Sequence, residues 1–248
     1  MFHTILIQPL FNLLIVFYNY VTFGDLGLAI IALTIAIRLV LYPIFYKGIK
    51  SQMVMQRMQP EMKRIQQEHK QDKQKQAQQM MALYKEHQTN PFSSIFYTLI
   101  QLPILFAVYR IFLTGVTVES LKDLYSFIPA PESINSLFLG VLDVSHPSWI
   151  IVIIATIANF LQSHMLAKQA AARGGANAPG GAATKYMAYL APILTLVILP
   201  KLAAAIGLYW TTTAIFSIFQ QYSINKQISR RESDNVNVPN KRIVSGSH

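Results

Sequence analysis

Gly27-Leu-Ala-Ile-Ile-Ala-Leu-Thr-Ile-Ala-Ile-Arg-Leu-Val-Leu-Tyr-Pro-Ile-Phe45 is an apolar run long enough to span a bilayer, and it holds a single charge, Arg38, near its middle. A charge near the bilayer centre costs roughly 2.5–3.5 kcal/mol on insertion scales, so a chain that keeps one has usually given it a wet, protein-lined place. One reading of Arg38 is therefore a polar cavity inside the membrane. The other is that its long stem snorkels to a headgroup or steadies a neighbouring helix. Thr34 lies four residues earlier, on the same helix face.

Working outward, 52% hydrophobic residues, 13% charged residues and a mean hydropathy of +0.34 make these 248 residues too apolar for an ordinary soluble domain. The fold expected is an all-α polytopic membrane protein with five transmembrane helices, at 27–45, 93–114, 149–167, 185–200 and 203–223. The last two are separated near Pro200-Lys201, because 39 residues are twice what one crossing of about 20 needs. The net charge of +10 would by itself suit nucleic acid or an anionic lipid surface. Its placement decides: nine basic residues in 46–91, three in 168–185 and five after 223 make 17 of the 21. By the positive-inside rule those segments are cytoplasmic, so the N-terminus is outside and the C-terminus inside. The 115–148 loop, with Lys122 against four acids, is external, and DNA is not an expected partner. The absence of cysteine excludes disulfides, thiolate metal sites and a lipid-modified N-terminal cysteine.

Residues 1–22 show neither a basic n-region nor a small-residue cleavage site, so they read as retained. Thr4, Gln8, Asn12 and Asn19 recur at helical spacing against Ile5, Leu6, Leu10, Leu13 and Phe17. This pattern, and a length of about 24 Å for 5–20, favour an external interfacial helix over a sixth span. The cytoplasmic segment 46–91 reads as a helical hairpin turning at His69-Lys70-Gln71-Asp72. Met55, Met58, Met62 and Ile65 form a stripe on its first helix, and Met80, Met81, Leu83 and Tyr84 a strip on its second. Such stripes pack on each other as a small core, or offer a soft surface for apolar guest helices. The 168–184 connection is rich in Gly and Ala, and 224–248 reads as a basic tail.

Polar residues inside the spans add to Arg38 and Thr34. Gln101 and Gln162 fall at depths where they can meet Arg38 in the inner half, and Tyr209 with Trp210 can cap that region from outside. As isolated features they would be interhelical hydrogen-bonding groups and an aromatic belt. No P-loop, HExxH, Gly-x-Ser-x-Gly or paired intramembrane carboxylates are present, so no catalytic machinery or cofactor is implied.

The order and spacing of several strings is similar to the YidC/Oxa family of membrane protein insertases. They are Gly27-Leu28-Ala29-Ile30-Ile31 with Thr34, Arg38 and Tyr42-Pro43; Met58-Gln59-Pro60-Glu61; Met81-Ala82-Leu83-Tyr84-Lys85-Glu86 and Asn90-Pro91; Ile100-Gln101-Leu102-Pro103-Ile104; Leu208-Tyr209-Trp210; and Gln220-Gln221. The resemblance implies a five-helix core in a bacterial plasma membrane, with a hydrophilic groove open to cytoplasm and lipid. Arg38 would be the groove cation, lined by Thr34, Gln101, Gln162, Tyr209 and Trp210. It implies nascent membrane proteins and the lipid bilayer as partners, with the Sec translocon and the ribosome as further ones. A client helix would slide past Ile104, Leu105, Leu190, Ile193 and Leu194, and the methionines Met55, Met58, Met62, Met80 and Met81 would capture it. The large external domain of many Gram-negative relatives and the lipoprotein cysteine of Gram-positive ones are not seen. The rival reading is a small-solute or anion transporter that binds its substrate at Arg38, although internal repeats and paired discontinuous helices are not visible.

Overall fold

Pro43 decides how the first apolar run is laid out. Lacking an N–H, it cannot donate to the Leu39 carbonyl, and it disfavours helical geometry in the residue before it. In the computed structural model, which describes residues 1–90, 93–115, 117, 119–172 and 189–236, the run is accordingly broken at Leu41. Helix α2 covers Leu26–Val40, α3 covers Tyr42–Glu68, and the two meet at a bend of 65°. The expected boundary at residue 45 is thus corrected to Leu41, and the residues after it belong to the long second helix.

Upstream, Gln8–Val16 forms α1, flanked by π-helical turns at His3–Ile7 and Phe17–Val21, so that His3–Val21 is one continuous rod. After the turn at 69–72, Asp72 caps α4 (Lys73–Glu86) through a bond from the Lys75 amide at 2.9 Å. Then come α5 (Ser93–Thr114), α6 (Trp149–Ala172), α7 (Leu190–Ile198) and α8 (Ala204–Val236). A 3-10 turn at Leu199–Lys201 separates the last two helices, at the expected break. Two features depart from expectation. The 115–148 connection contains a small antiparallel pair, β1 (Leu137–Phe138) and β2 (Leu142–Asp143), so the fold is nearly rather than wholly helical. The expected tail after 223 continues α8 as helix, with Ile224 fully buried. Most of the Gly/Ala-rich connection, the first residues of the fourth apolar run and the end of the tail lie outside the described residues.

Two helices, His3–Val21 and Trp149–Gln169, are each long and apolar enough to cross a membrane; α2 with α3, counted as one broken span, makes a third. Leu99–Thr114 and Leu190–Lys201 are shorter apolar helices. The main hydrophobic core gathers at one end of the bundle, where Leu14 and Ile15 of α1, Ile30 and Leu33 of α2, Val108 of α5, Val152 of α6 and Ile206 of α8 are almost fully enclosed. The polar face of residues 1–22 is turned onto the protein: Gln8 and Asn12 donate to the Asp123 carbonyl, each at 3.0 Å, and Asn19 donates to that of Pro129 at 2.9 Å. These amides are therefore satisfied by the 115–148 connection rather than by headgroups or water.

Alpha-helices α6 and α8 approach closely at Gly207, where an added Cβ would overlap the Ile151 side chain. Gly207→Val should cost about 1–3 kcal/mol through overpacking. The check is thermal unfolding in detergent; an unchanged midpoint would show that the contact yields freely.

Candidate functional site

Arg38 stands in the last turn of α2, where the unpaired carbonyl dipoles of the helix end favour a cation. The residue is 7% exposed. Its guanidinium carbon lies 4.6 Å from the centroid of the Phe45 ring. Phe45 is seven residues on, hence about 10.5 Å further along a straight helix on the same face, and the bend at Leu41 sets its position. Across the interface with α8, the guanidinium is within electrostatic reach of the Tyr209 hydroxyl. Among the described residues Arg38 has no carboxylate or hydrogen-bond partner, and none of its nitrogens is among the fully enclosed polar atoms without one.

Tyr209 is the hinge of the arrangement. It is buried, and its hydroxyl accepts a hydrogen bond from Gln101 Nε2 of α5 at 2.8 Å. Arg38, Tyr209 and Gln101 are therefore linked from three helices, whereas the sequence reading set Gln162 with Arg38 and Gln101 and gave Tyr209 as a cap. Thr34 is buried one turn from Arg38, and its hydroxyl is committed to the Ile30 carbonyl at 2.7 Å. Trp210 is half-buried and packs against the hydrophobic core instead of joining the polar group. Gln162 is half-buried on α6, seven residues before Gln169, which accepts from Gln221 Nε2 at 3.2 Å. The polar link between α6 and α8 is thus made by Gln169 and Gln221.

Below Tyr209, α8 carries a polar stripe that the sequence reading did not assign: Thr213, Ser217 and Gln220. The spacing of 4, 4 and 3 residues from Tyr209 was the available signal, since it places all four on one helix face. Thr213 lies within side-chain hydrogen-bonding reach of Tyr209, and among the described residues Gln220 Nε2, Gln59 Oε1 and Asn225 Oδ1 are enclosed without a hydrogen-bond partner. Enclosed groups of this kind are uncommon in packed proteins.

Helix placement around these residues is uneven. α2 lies along α8, and α8 along α6, while α5 meets α8, α3 and the N-terminal rod and makes at most slight contact with α2 or α6. A cavity of about 360 Å³ lies elsewhere, between the N-terminal rod and the end of α5, lined by residues including His3, Gln8, Arg110 and Asp123.

The other predicted positions divide by exposure. Leu190, Ile193 and Leu194 of α7 are exposed at 47%, 56% and 43%, and Leu105 is half-buried. Ile104 is a correction: it is buried in the core, and the apolar face that α5 turns outward is Leu99, Leu102, Phe106 and Leu113. The reason is phase, since Ile104 shares the inward face of Ala107, Val108 and Ile111. On α3 and α4, Met58 is fully buried with Met53, Met55, Met62 and Met80 are half-buried, and Met81 is 52% exposed. Gln76 Nε2 donating to the Gln66 carbonyl at 3.1 Å joins these two helices.

Tyr209→Phe removes the acceptor for Gln101 Nε2 and should destabilise by about 1–3 kcal/mol, the cost of leaving a buried donor unpaired. Thermal unfolding in detergent checks it; Gln101→Leu in the same background should recover part of the loss.

The 60Kd inner membrane protein family model matches residues 16–232 of this chain. The membrane protein insertase YidC of Rickettsia bellii is 32% identical over 232 residues, covering 90% of this chain and 39% of that protein. YidC of Fusobacterium nucleatum is 32% identical over 204 residues, covering 82% of this chain and 88% of that protein. YidC of Helicobacter pylori is 32% identical over 235 residues, covering 92% and 38%. The chain spans about two fifths of the length of the Rickettsia and Helicobacter relatives, and most of the Fusobacterium one. With the matched segment running through Arg38, Gln101, Tyr209 and the α8 stripe, the chain belongs to the YidC/Oxa family of 60Kd inner membrane proteins.

Proposed function

We propose that this chain is a membrane protein insertase that lowers the barrier for moving short polar tails across the hydrocarbon and releases the attached helix sideways into lipid. The observation that carries the reading is Arg38: a buried guanidinium in an apolar helix with no carboxylate partner among the described residues, beside the bonded pair Tyr209 and Gln101. Thr213 and Gln220 continue the polar path along α8, and Gln220 Nε2, without a partner among the described residues, is a group that water or a passing polar side chain would satisfy. The weak contact of α5 with α2 and α6 leaves the side of this path that a client helix would use.

In this proposal five helical segments cross the membrane with the N-terminus outside, and the N-terminal rod and the 115–148 connection close the external end. The basic helices α3 and α4 lie in the cytoplasm. An acidic tail entering from that side would meet a fixed cation part-way across, an attraction of up to about 4 kcal/mol at 4 Å and an effective dielectric of 20. The client's apolar helix would pass along the exposed faces of α5 and α7, with Leu102 and Phe106 beside the half-buried Leu105 on the first and Leu190, Ile193 and Leu194 on the second. Its transfer to lipid supplies the drive at about 25 cal/mol per Å² of apolar surface, with no nucleotide. Met81 and its half-buried neighbours on α3 and α4 would make the first contact with it.

Arg38→Ala should reduce insertion of clients with acidic translocated tails by at least about tenfold, equivalent to ~1.4 kcal/mol, and spare neutral-tailed clients. Reconstituted vesicles with matched client pairs provide the measurement. Equal loss for both classes would remove the electrostatic role, and saturable solute flux without insertion would favour a transporter. Deleting 69–73 should leave the membrane-embedded part folded and weaken crosslinking of nascent chains to α4 several-fold; unchanged crosslinking would mean that the methionines serve packing alone.

A further inference from the structure

Two left-handed turns on the side of the 115–148 connection each push a large apolar residue outward. Phe23 has a φ of 50° and is 90% exposed, followed by Gly24 at 89°. Leu139 has a φ of 52° and is 63% exposed, followed by Gly140 at 71° and by Val141, which is 85% exposed. A bulky residue at positive φ is strained, and a turn facing water is ordinarily built from Gly, Asn or Asp at such positions. Both turns here keep apolar side chains that are largely exposed.

One carboxylate ties the two turns together. Asp25 Oδ1 accepts from the Leu28 amide at 2.9 Å, capping α2, while Oδ2 accepts from the Leu139 amide at 2.7 Å. The β pair is also fixed in depth. A Cβ at Gly27 would overlap the Phe138 ring, and the Val144 and His146 carbonyls accept from the Ala205 and Ala204 amides of α8, both at 2.9 Å. Asp143 stiffens the far end: the Ser145 backbone amide, ahead of the His146 side chain, holds its carboxyl down to about 2. The tips thus sit level with the first turns of α2 and α8. Trp149, 65% exposed, opens α6 shortly after.

That level is where apolar helices leave the hydrocarbon, and where aromatic and apolar side chains are at home in a bilayer. Neither 1–37 nor 123–149 contains a lysine or arginine, so the two turns themselves bring no cation to a headgroup. We propose that Phe23, Leu139 and Val141 form an apolar wedge seated in the lipid leaflet on that side, with Asp25 as its positioning residue. The wedge goes beyond the insertase reading and does not depend on it: it sets the depth at which α2 and α8 begin.

The chain's lack of cysteine makes the test direct. Single cysteines at Phe23, Leu139, Val141 and, as an aqueous control, Glu132 are spin-labelled in the full chain and placed in phosphatidylcholine nanodiscs. At the three wedge positions collisions with oxygen should exceed those with a nickel chelate, equally at low and high salt, with the reverse at Glu132. Asp25→Ala should bring the label at Leu139 toward the Glu132 pattern. Nickel accessibility at Leu139 and Val141 equal to the control would overturn the proposal and leave the tips to water or to a protein partner. Leu139→Gly should raise the melting temperature in detergent by relieving the turn. A fall would show instead that the Leu139 side chain packs on the protein, which also overturns it.

Discussion

An arginine does not give up its proton inside a protein, so the helices around Arg38 must supply what water would otherwise provide. No carboxylate does this, and the available groups are weak ones: the C-terminal dipole of α2, the face of Phe45 and the hydroxyl of Tyr209. Each of these contributes about a kilocalorie or so, short of what a charge loses on leaving water. In the proposed insertase the balance is supplied by water reaching the site, and the uneven contacts among the helices support that reading. The bend of 65° at Leu41 belongs to the same arrangement, because it sets Phe45 beside the guanidinium and redirects the basic helix α3.

That unevenness has two poles. At the end that holds the N-terminal rod and the β pair, large side chains interlock, with Leu14, Ile30 and Val144 fully enclosed. Toward the other end the fillings of α8 become threonine, serine and glutamine, and enclosed polar atoms go without protein partners. A densely packed apolar end opposite a more polar one is the asymmetry on which the proposed direction of insertion rests.

Much of this was legible because it rests on period and composition. The break near Pro200, the turn at 69–72 and the pairing of Arg38 with Gln101 in depth follow from prolines, a polar stretch between stripes and helical rise. What escaped was whatever depends on exact phase or on distant backbone. Ile104 and Phe106 are equally apolar, and only the rotation of α5 tells which one faces the core. The β pair is two residues to a strand, too short for an alternating pattern to register. Gln8, Asn12 and Asn19 read correctly as a polar face, but nothing local says that the face would meet carbonyls more than 100 residues away. Arg38 showed both of its faces in the sequence, and its reach toward Phe45 has something of the snorkelling alternative as well.

The seam between the N-terminal rod and the 115–148 connection is made in a particular currency. Gln8, Asn12, Tyr18 and Asn19 reach across to the carbonyls of Asp123, Pro129 and Ser133 and to the amides of Tyr125 and Asn135, all of them main-chain atoms. Nearly every amino acid offers the same peptide group, so most of those partner positions are free to drift over generations without unfastening the seal. Most of the burden of invariance falls on four side chains of the rod, the half-exposed pair His3 Nε2 and Asp123 Oδ2 at 3.1 Å being a contact that needs a side chain on both sides, and a related chain could redecorate much of its connection while keeping the same closure.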